Sequence, residues 1–311
     1  MRSSWISSAY LAMFLMLSFF SPNAEPFEFP NVNLPTVEPD FFGYAYDIFK
    51  DGSRLNVITS RIVDEITYHC GFFCTGSCTS FIFVVFIIQT SFEESLLPQI
   101  VWSANRDNPV ANTAILNLTE TGDLVLKDAD GTIVWSTNTT GKSVVGVNLT
   151  DTGNLVLFDV NNATIWQSFD HPTDCLLPGQ KLYKGQKLKS SVSSTNWSSQ
   201  EGMYSLQITN NGLFAFVESN PPQVYYSYLV NGAHENRQGS FTFYNGSLAI
   251  FSSNVEPDRV FNLESPLTNS FVKLMPDGHL KLFQLPLAYW RLTTVVTDLL
   301  TDFIGKTISK Q

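Results

Sequence analysis

The amino-acid sequence predicts an all-β protein made of repeated strand–turn–strand units, and three observations carry that prediction. Residues 118–135, LTETGDLVLKDADGTIVW, recur as residues 149–166, LTDTGNLVLFDVNNATIW, at a constant offset of 31. A tryptophan step stands in three successive places: Val101-Trp102-Ser103, Val134-Trp135-Ser136 and Ile165-Trp166-Gln167. No window longer than about ten residues shows apolar helical spacing with caps. Instead, short alternating runs broken by Asp-Gly, Thr-Gly, Asn-Asn and Asn-Pro turns continue from near Asp51 to Ile165. Repeats of this length are one supersecondary unit used several times, each burying its face against the others. Three units with one Trp each imply a closed threefold arrangement around a shared aromatic core.

Taken in chain order, residues 1–24 read as a secretory signal peptide. Arg2 gives a positive start, and Ala9–Phe20 is an apolar run too short to span a bilayer, with cleavage expected after Ala24. Residues 25–45 carry four prolines and are expected to lie extended on the first domain. The run Phe81–Ile88, FIFVVFII, is β-branched and aromatic and reads as a buried strand. A first domain is placed at 46–168, a connector Phe169–Asp174 follows, and a second domain of the same design is placed at 173–295. The second rests on weaker repeats: 205–216, 241–251 and 271–283 each set a turn with Gly212, Gly246 or Gly278 between alternating runs, at spacings of 34 and 32. Trp290 is the expected Trp step of that half, and 296–311 form a divergent tail.

The formal charge of −10, with no compensating Lys/Arg cluster, opposes binding to nucleic acid or anionic lipid. Six Asn-x-Ser/Thr sequons, at Asn117, Asn138, Asn148, Asn162, Asn196 and Asn245, agree with passage through the secretory pathway. Of the four cysteines, Cys70, Cys74 and Cys78 crowd into CGFFCTGSC, and Cys175 lies far downstream. A disulfide between Cys74 and Cys78 across the Thr-Gly-Ser turn is the first choice, with pairings through Cys70 and Cys175 left open. Zinc is disfavoured because the second paired half of a zinc motif is missing.

Residues 101–106 (VWSANR), the stretch GDLVLKDADGTIVWSTNT and residues 166–182 (WQSFDHPTDCLLPGQKL) resemble the bulb-type lectin domain. More closely, they are similar to the extracellular S-domain of plant G-type lectin receptor-like kinases and related secreted epidermal glycoproteins, over roughly residues 45–300. That resemblance implies tandem β-prism modules, each with pseudo-threefold repeats, and no cofactor. The receptor family continues after a DLL-x-x-x-G stretch into further modules and a kinase. Here Asp298–Gly305 is followed by Lys-Thr-Ile-Ser-Lys-Gln, with no Gly-rich loop, HRD or DFG motif. The expectation is a non-enzymatic, secreted glycoprotein of the apoplast or cell wall, at the plasma membrane only if the product continues into a receptor. No membrane span is expected beyond the signal peptide. Its expected partners are a cell-surface glycan or peptide and related S-domain receptors.

The family's mannose pattern is Gln-x-Asp-x-Asn-x-Val-x-Tyr, whose alternate residues share one face of a strand. The first copy here reads Thr119, Thr121, Asp123, Val125, Lys127, and the second reads Thr150, Thr152, Asn154, Val156, Phe158. The second keeps most and is the candidate sugar site. In the other half the matching positions are Ile208, Asn210, Gly212, Phe214, Phe216 and Met275, Asp277, His279, Lys281, Phe283, with no intact copy. Most of these residues are expected to be surface strand positions. The repeated Trp residues are expected in the core, leaving Trp197 as the more exposed ring for stacking on sugar. Asp170, His171 and Asp174 near Ser168 are read as a turn, with no catalytic residue assigned.

Overall fold

The computed structural model describes residues 52–63, 66–76, 78–89, 99–193, 196–198, 200–230, 239–244, 247–252, 256–261 and 270–284, together with the short strands Val32–Asn33, Asp47–Ile48 and Val295–Asp298. The signal segment and Trp290 lie outside the described residues, as does the tail apart from the end of that last strand. Among the described residues, apart from one 3-10 turn at Ser168–Asp170, the regular structure is strand, arranged in six antiparallel sheets, three to each half of the chain. No helix among the described residues is long and apolar enough to cross a membrane.

The first sheet is a five-stranded meander: Asp47–Ile48, Arg54–Val63, Ile66–Cys74, Ile82–Gln89 and Gln99–Ser103. The second pairs Val32–Asn33, Ile115–Leu118, Leu124–Lys127 and Ile133–Ser136, so part of the Pro-rich leader joins it as an edge. The third holds Val144–Leu149, Leu155–Asp159 and Thr164–Gln167. Alternation turns one face of each sheet inward. Each sheet brings one Trp to the centre, and the rings of Trp102, Trp135 and Trp166 meet pairwise at 5.8–5.9 Å, tilted 70–77°. Edge-to-face contact suits the quadrupoles of neighbouring indoles. The expected threefold aromatic core is present, and the fold is a β-prism.

The connector closes this prism. Trp102 Nε1 donates to the His171 carbonyl at 2.9 Å, and the His171 ring stacks on Trp166 at 5.2 Å. The hairpin turns of the second and third sheets share one geometry: Gly122 N–H donates to the Thr119 carbonyl and Gly153 N–H to that of Thr150. Both glycines sit at positive φ, and a Cβ on Gly153 would stand 2.5 Å from the Tyr68 ring, so only glycine fits there.

The second half is laced by its entry segment. Cys175–Leu176, Lys181–Tyr183 and Lys187–Lys189 form the edges of three different four-stranded sheets. They insert Leu176, Leu182 and Leu188, six residues apart and all fully buried, one per sheet. The first of these sheets continues through Ser270–Leu274, Leu280–Gln284 and Val295–Asp298. The next continues through Ser240–Tyr244, Ser247–Phe251 and Arg259–Phe261, and the last through Tyr204–Thr209, Gly212–Val217 and Gln223–Leu229. The described core here is mostly Leu, Ile, Val and Phe, with Ala215 and Tyr226, in place of the Trp cluster.

The two halves meet over a buried charge cluster. Asp174 lies 3.6 Å from Lys273 and 3.8 Å from Arg106, while Lys273 Nζ donates to the Ile100 carbonyl and Arg106 Nη2 to that of Lys189. Burial alone would lower the Lys273 pKa, but Asp174 beside it prevails and the ammonium is held in its charged form. Cys74 and Cys78 are joined by a disulfide, and Cys70 and Cys175 are free and buried.

Candidate functional site

The three sheets of the first prism present matched outer faces, which the strand registers align. Val156 pairs with Asn148 on one side and Gln167 on the other, Val125 with Asn117 and Ser136, and Val84 with Gly71 and Ser103. Directly paired residues point to the same face. The alternate spacing therefore puts Asn154, Val156 and Phe158 on one face with Asn148 and Gln167.

That face is occupied by its own chemistry. Asn154 is 7% exposed; its Nδ2 donates to Gln167 Oε1 at 2.8 Å, and its Oδ1 accepts from Ser168 Oγ and the Phe169 N–H. Thr150 Oγ1 accepts from the Asn154 N–H and lies 3.1 Å from Thr152 Oγ1. The Phe158 ring lies across Gly146, where a Cβ would stand 2.6 Å from it. Thr150 and Thr152 thus close the turn, Asn154 ties the turn to the strand exit, and Phe158 covers the neighbouring strand.

In the first copy Asp123 takes the same place and does the same work. Its Oδ1 accepts from Thr137 Oγ1 at 2.8 Å and from the Thr139 N–H, and its Oδ2 accepts from Ser136 Oγ. Burial raises its pKa, but these hydrogen bonds outweigh burial and hold the carboxyl below the usual range. Behind both residues runs a bond repeated three times: the Leu124 N–H donates to Thr137 Oγ1, Leu155 to Ser168 Oγ and Phe83 to Asn105 Oδ1. The partners Ser136/Gln167 and Thr137/Ser168 keep the 31-residue offset, a signal the sequence reading passed over. Asn154 and Asp123 are therefore not the surface residues expected from the strand pattern.

In the first sheet the positions matching Asn154, Val156 and Phe158 are Ile82, Val84 and Phe86, all buried in a second cluster with Leu55, Phe73 and Ile100. Trp197 packs on this cluster, edge-on to Phe73 at 5.9 Å, with the Lys273 ammonium 4.9 Å from its ring centre. The expectation that Trp197 is an exposed stacking ring is corrected: it seals the contact between halves. In the second half Ile208 belongs to the core, because its hairpin turns over two residues. The loop 275–279 keeps the five-residue form of 119–123 and 150–154, with Lys281 paired to Asp277 and Phe283 stacked on Phe271 at 4.8 Å. The sequons Asn138, Asn148, Asn162 and Asn196 are exposed, Asn117 is half-buried, and Asn245 lies outside the described residues. Asp170, Ser168 and Asp174 serve the connector's hydrogen bonds and ion pairs, and burial lowers the His171 pKa.

A Trp-centred β-prism with repeated strand–turn–strand faces is a lectin-like scaffold. Residues 99–198 match the family model for D-mannose binding lectin. An EP1-like glycoprotein of Arabidopsis thaliana is 52% identical over 128 residues, covering 40% of this chain and 28% of that protein. The epidermis-specific secreted glycoprotein EP1 of Daucus carota is 38% identical over 202 residues, covering 59% and 52%. A G-type lectin S-receptor-like serine/threonine-protein kinase of Arabidopsis thaliana is 35% identical over 180 residues, covering 57% and 20%. The chain spans from a fifth to about half of the length of these relatives. Over residues 99–198 the chain is thus similar to bulb-type lectins.

Proposed function

We propose that the protein is a secreted, N-glycosylated recognition module on a lectin scaffold, not an enzyme, and that its repeat faces bind mannose weakly or not at all. It acts at the cell surface or wall on a glycan or peptide recognised elsewhere than at the mannose positions. The observation that carries this reading is the internal commitment of Asn154 and Asp123, whose side-chain atoms hold the strand exits. A neutral hydrogen bond contributes about 0.5–1.5 kcal/mol net. Thr at two polar positions and a Phe without a phenolic hydroxyl at a third remove three of them. The loss is about 1.5–4.5 kcal/mol, or roughly one to three decades in affinity. Titration of the purified protein with methyl mannoside and a dimannoside tests the reading. No saturation below about 10 mM is expected for the loss just estimated; sub-millimolar binding abolished by Asn154→Ala overturns it.

A second reading, pairing with related S-domain receptors without glycan dependence, is favoured by the strand Gln223–Leu229. It ends its sheet among the described residues and exposes Val224 and Leu229. Co-purification with such receptors, unchanged by mannoside, would select this reading over the first.

A further inference from the structure

The sequons are not scattered over the first prism. Asn117 and Asn148 are 31 residues apart, the repeat offset, and each is the direct cross-strand partner of the central valine of a candidate face: Asn117 of Val125, Asn148 of Val156. Paired residues have their Cβ atoms about 5 Å apart on the same side of the sheet. A saccharide joined to the Asn148 side chain therefore begins over Val156, one pair along from the Phe158 ring. The same threonines serve both features: Thr119 and Thr150 open the candidate motif and also complete the two sequons. The third face has Gly71 at the matching position, where even a Cβ would stand 2.0 Å from the Asn56 carbonyl oxygen, and it is covered by Trp197. Each of the three faces is thus closed or carries an attachment point at its centre.

We infer that the glycans on Asn117 and Asn148 lie on the two outward faces, so that the mature protein holds its own saccharide where an outside sugar would dock. The inference rests on the lectin-scaffold reading given above and adds what covers its faces. Asn162 provides the internal contrast, because it is exposed at positive φ in the hairpin turn between Leu155–Asp159 and Thr164–Gln167, whereas Asn138 accepts from Ser136 Oγ beside the second sheet's face.

The test is site-resolved release of oligomannose glycans by an endoglycosidase, followed by glycopeptide mass mapping, on full-length secreted protein from cells that leave such glycans untrimmed. Asn117 and Asn148 are expected to be occupied and to be released at least tenfold more slowly than Asn162 under native conditions. After denaturation all sites should be released alike. Empty Asn117 and Asn148 sites, or native release as fast as at Asn162, overturn the inference. A mannoside titration of the Asn117→Gln/Asn148→Gln protein separates the two claims. Sub-millimolar binding there sinks the weak-site reading alone, whereas equal release rates sink the placement of the glycans alone. Should the double variant fail to fold, release rates from the wild-type protein still decide.

Discussion

The two halves of the chain build the same three-sheet body from different cores. The first spends one Trp per sheet on a three-way ring contact and ties it to the connector through the Trp102–His171 hydrogen bond. The second places Leu176, Leu182 and Leu188 against Leu206, Leu248 and Leu280 and uses no Trp among its described core residues. A Trp cluster allows few substitutions, because large rings meet only at particular tilts. An aliphatic core tolerates exchange at conserved volume. The architecture persists in both halves, and the sequence repeat stays sharp only where ring geometry constrains it.

The strongest way to break this comparison is to remove one ring. Trp102→Ala should cost about 4–5 kcal/mol, since it leaves a large cavity and deletes a hydrogen bond at the connector. Leu206→Ala in the second core should cost about 2–4 kcal/mol. Chemical denaturation followed by tryptophan fluorescence and far-UV circular dichroism measures both. A loss below about 2 kcal/mol for Trp102→Ala would mean that the trio is not the keystone of the first prism.

That contrast explains what was legible in the sequence. The offset of 31, the Trp steps and the Thr-Gly turns report local and repeated constraints, and they led directly to the three-sheet prism. The strand 81–88 was readable as buried because its outer residues Ile82, Val84 and Phe86 are as apolar as its inner ones. What buries them was not readable, since Trp197 and Lys273 arrive from far along the chain. The direction of Asn154 was hidden too: alternation puts it on an outer face, and only Gln167, Ser168 and Phe169 show that its amide is spent within that face.

The outer face of the first sheet also sharpens the comparison through pH. His69 stacks on Phe86 at 5.0 Å, its Nδ1 lies 2.6 Å from Ser60 Oγ, and burial pushes its pKa down to about 4. A folded-state pKa below the unfolded value near 6.5 means that the unfolded chain binds the proton more readily. This contribution is fully present above about pH 6.5 and is lost progressively as pH falls towards 4, by at most about 3 kcal/mol. Denaturation midpoints between pH 7 and 4.5 should therefore fall more steeply for the wild-type protein than for His69→Phe. Parallel profiles would remove His69 from the account of acid sensitivity.

The smallest effect separates three equivalent turns. In the second and third sheets the turn is closed by a threonine: Thr119 Oγ1 accepts from the Asp123 N–H at 3.0 Å, and Thr150 Oγ1 from the Asn154 N–H at 3.1 Å. In the first sheet the corresponding turn carries the Cys74–Cys78 disulfide instead, four residues apart in sequence. A cross-link that encloses so few residues removes little entropy from the unfolded chain, and the loop-entropy relation gives about 2 kcal/mol as its ceiling. Some of this is already secured by the flanking strands, which pair from Arg54 to Val63 along one side and from Ile66 to Phe73 along the other. The Cys74→Ala/Cys78→Ala protein should keep the fold and lose about 1–2 kcal/mol, close to the roughly 1 kcal/mol expected for Thr150→Val. Denaturation of both variants in parallel makes the comparison. A disulfide loss above about 4 kcal/mol, or peptide mapping that joins Cys74 to Cys175, would show that this turn holds the first prism in a way the other two do not.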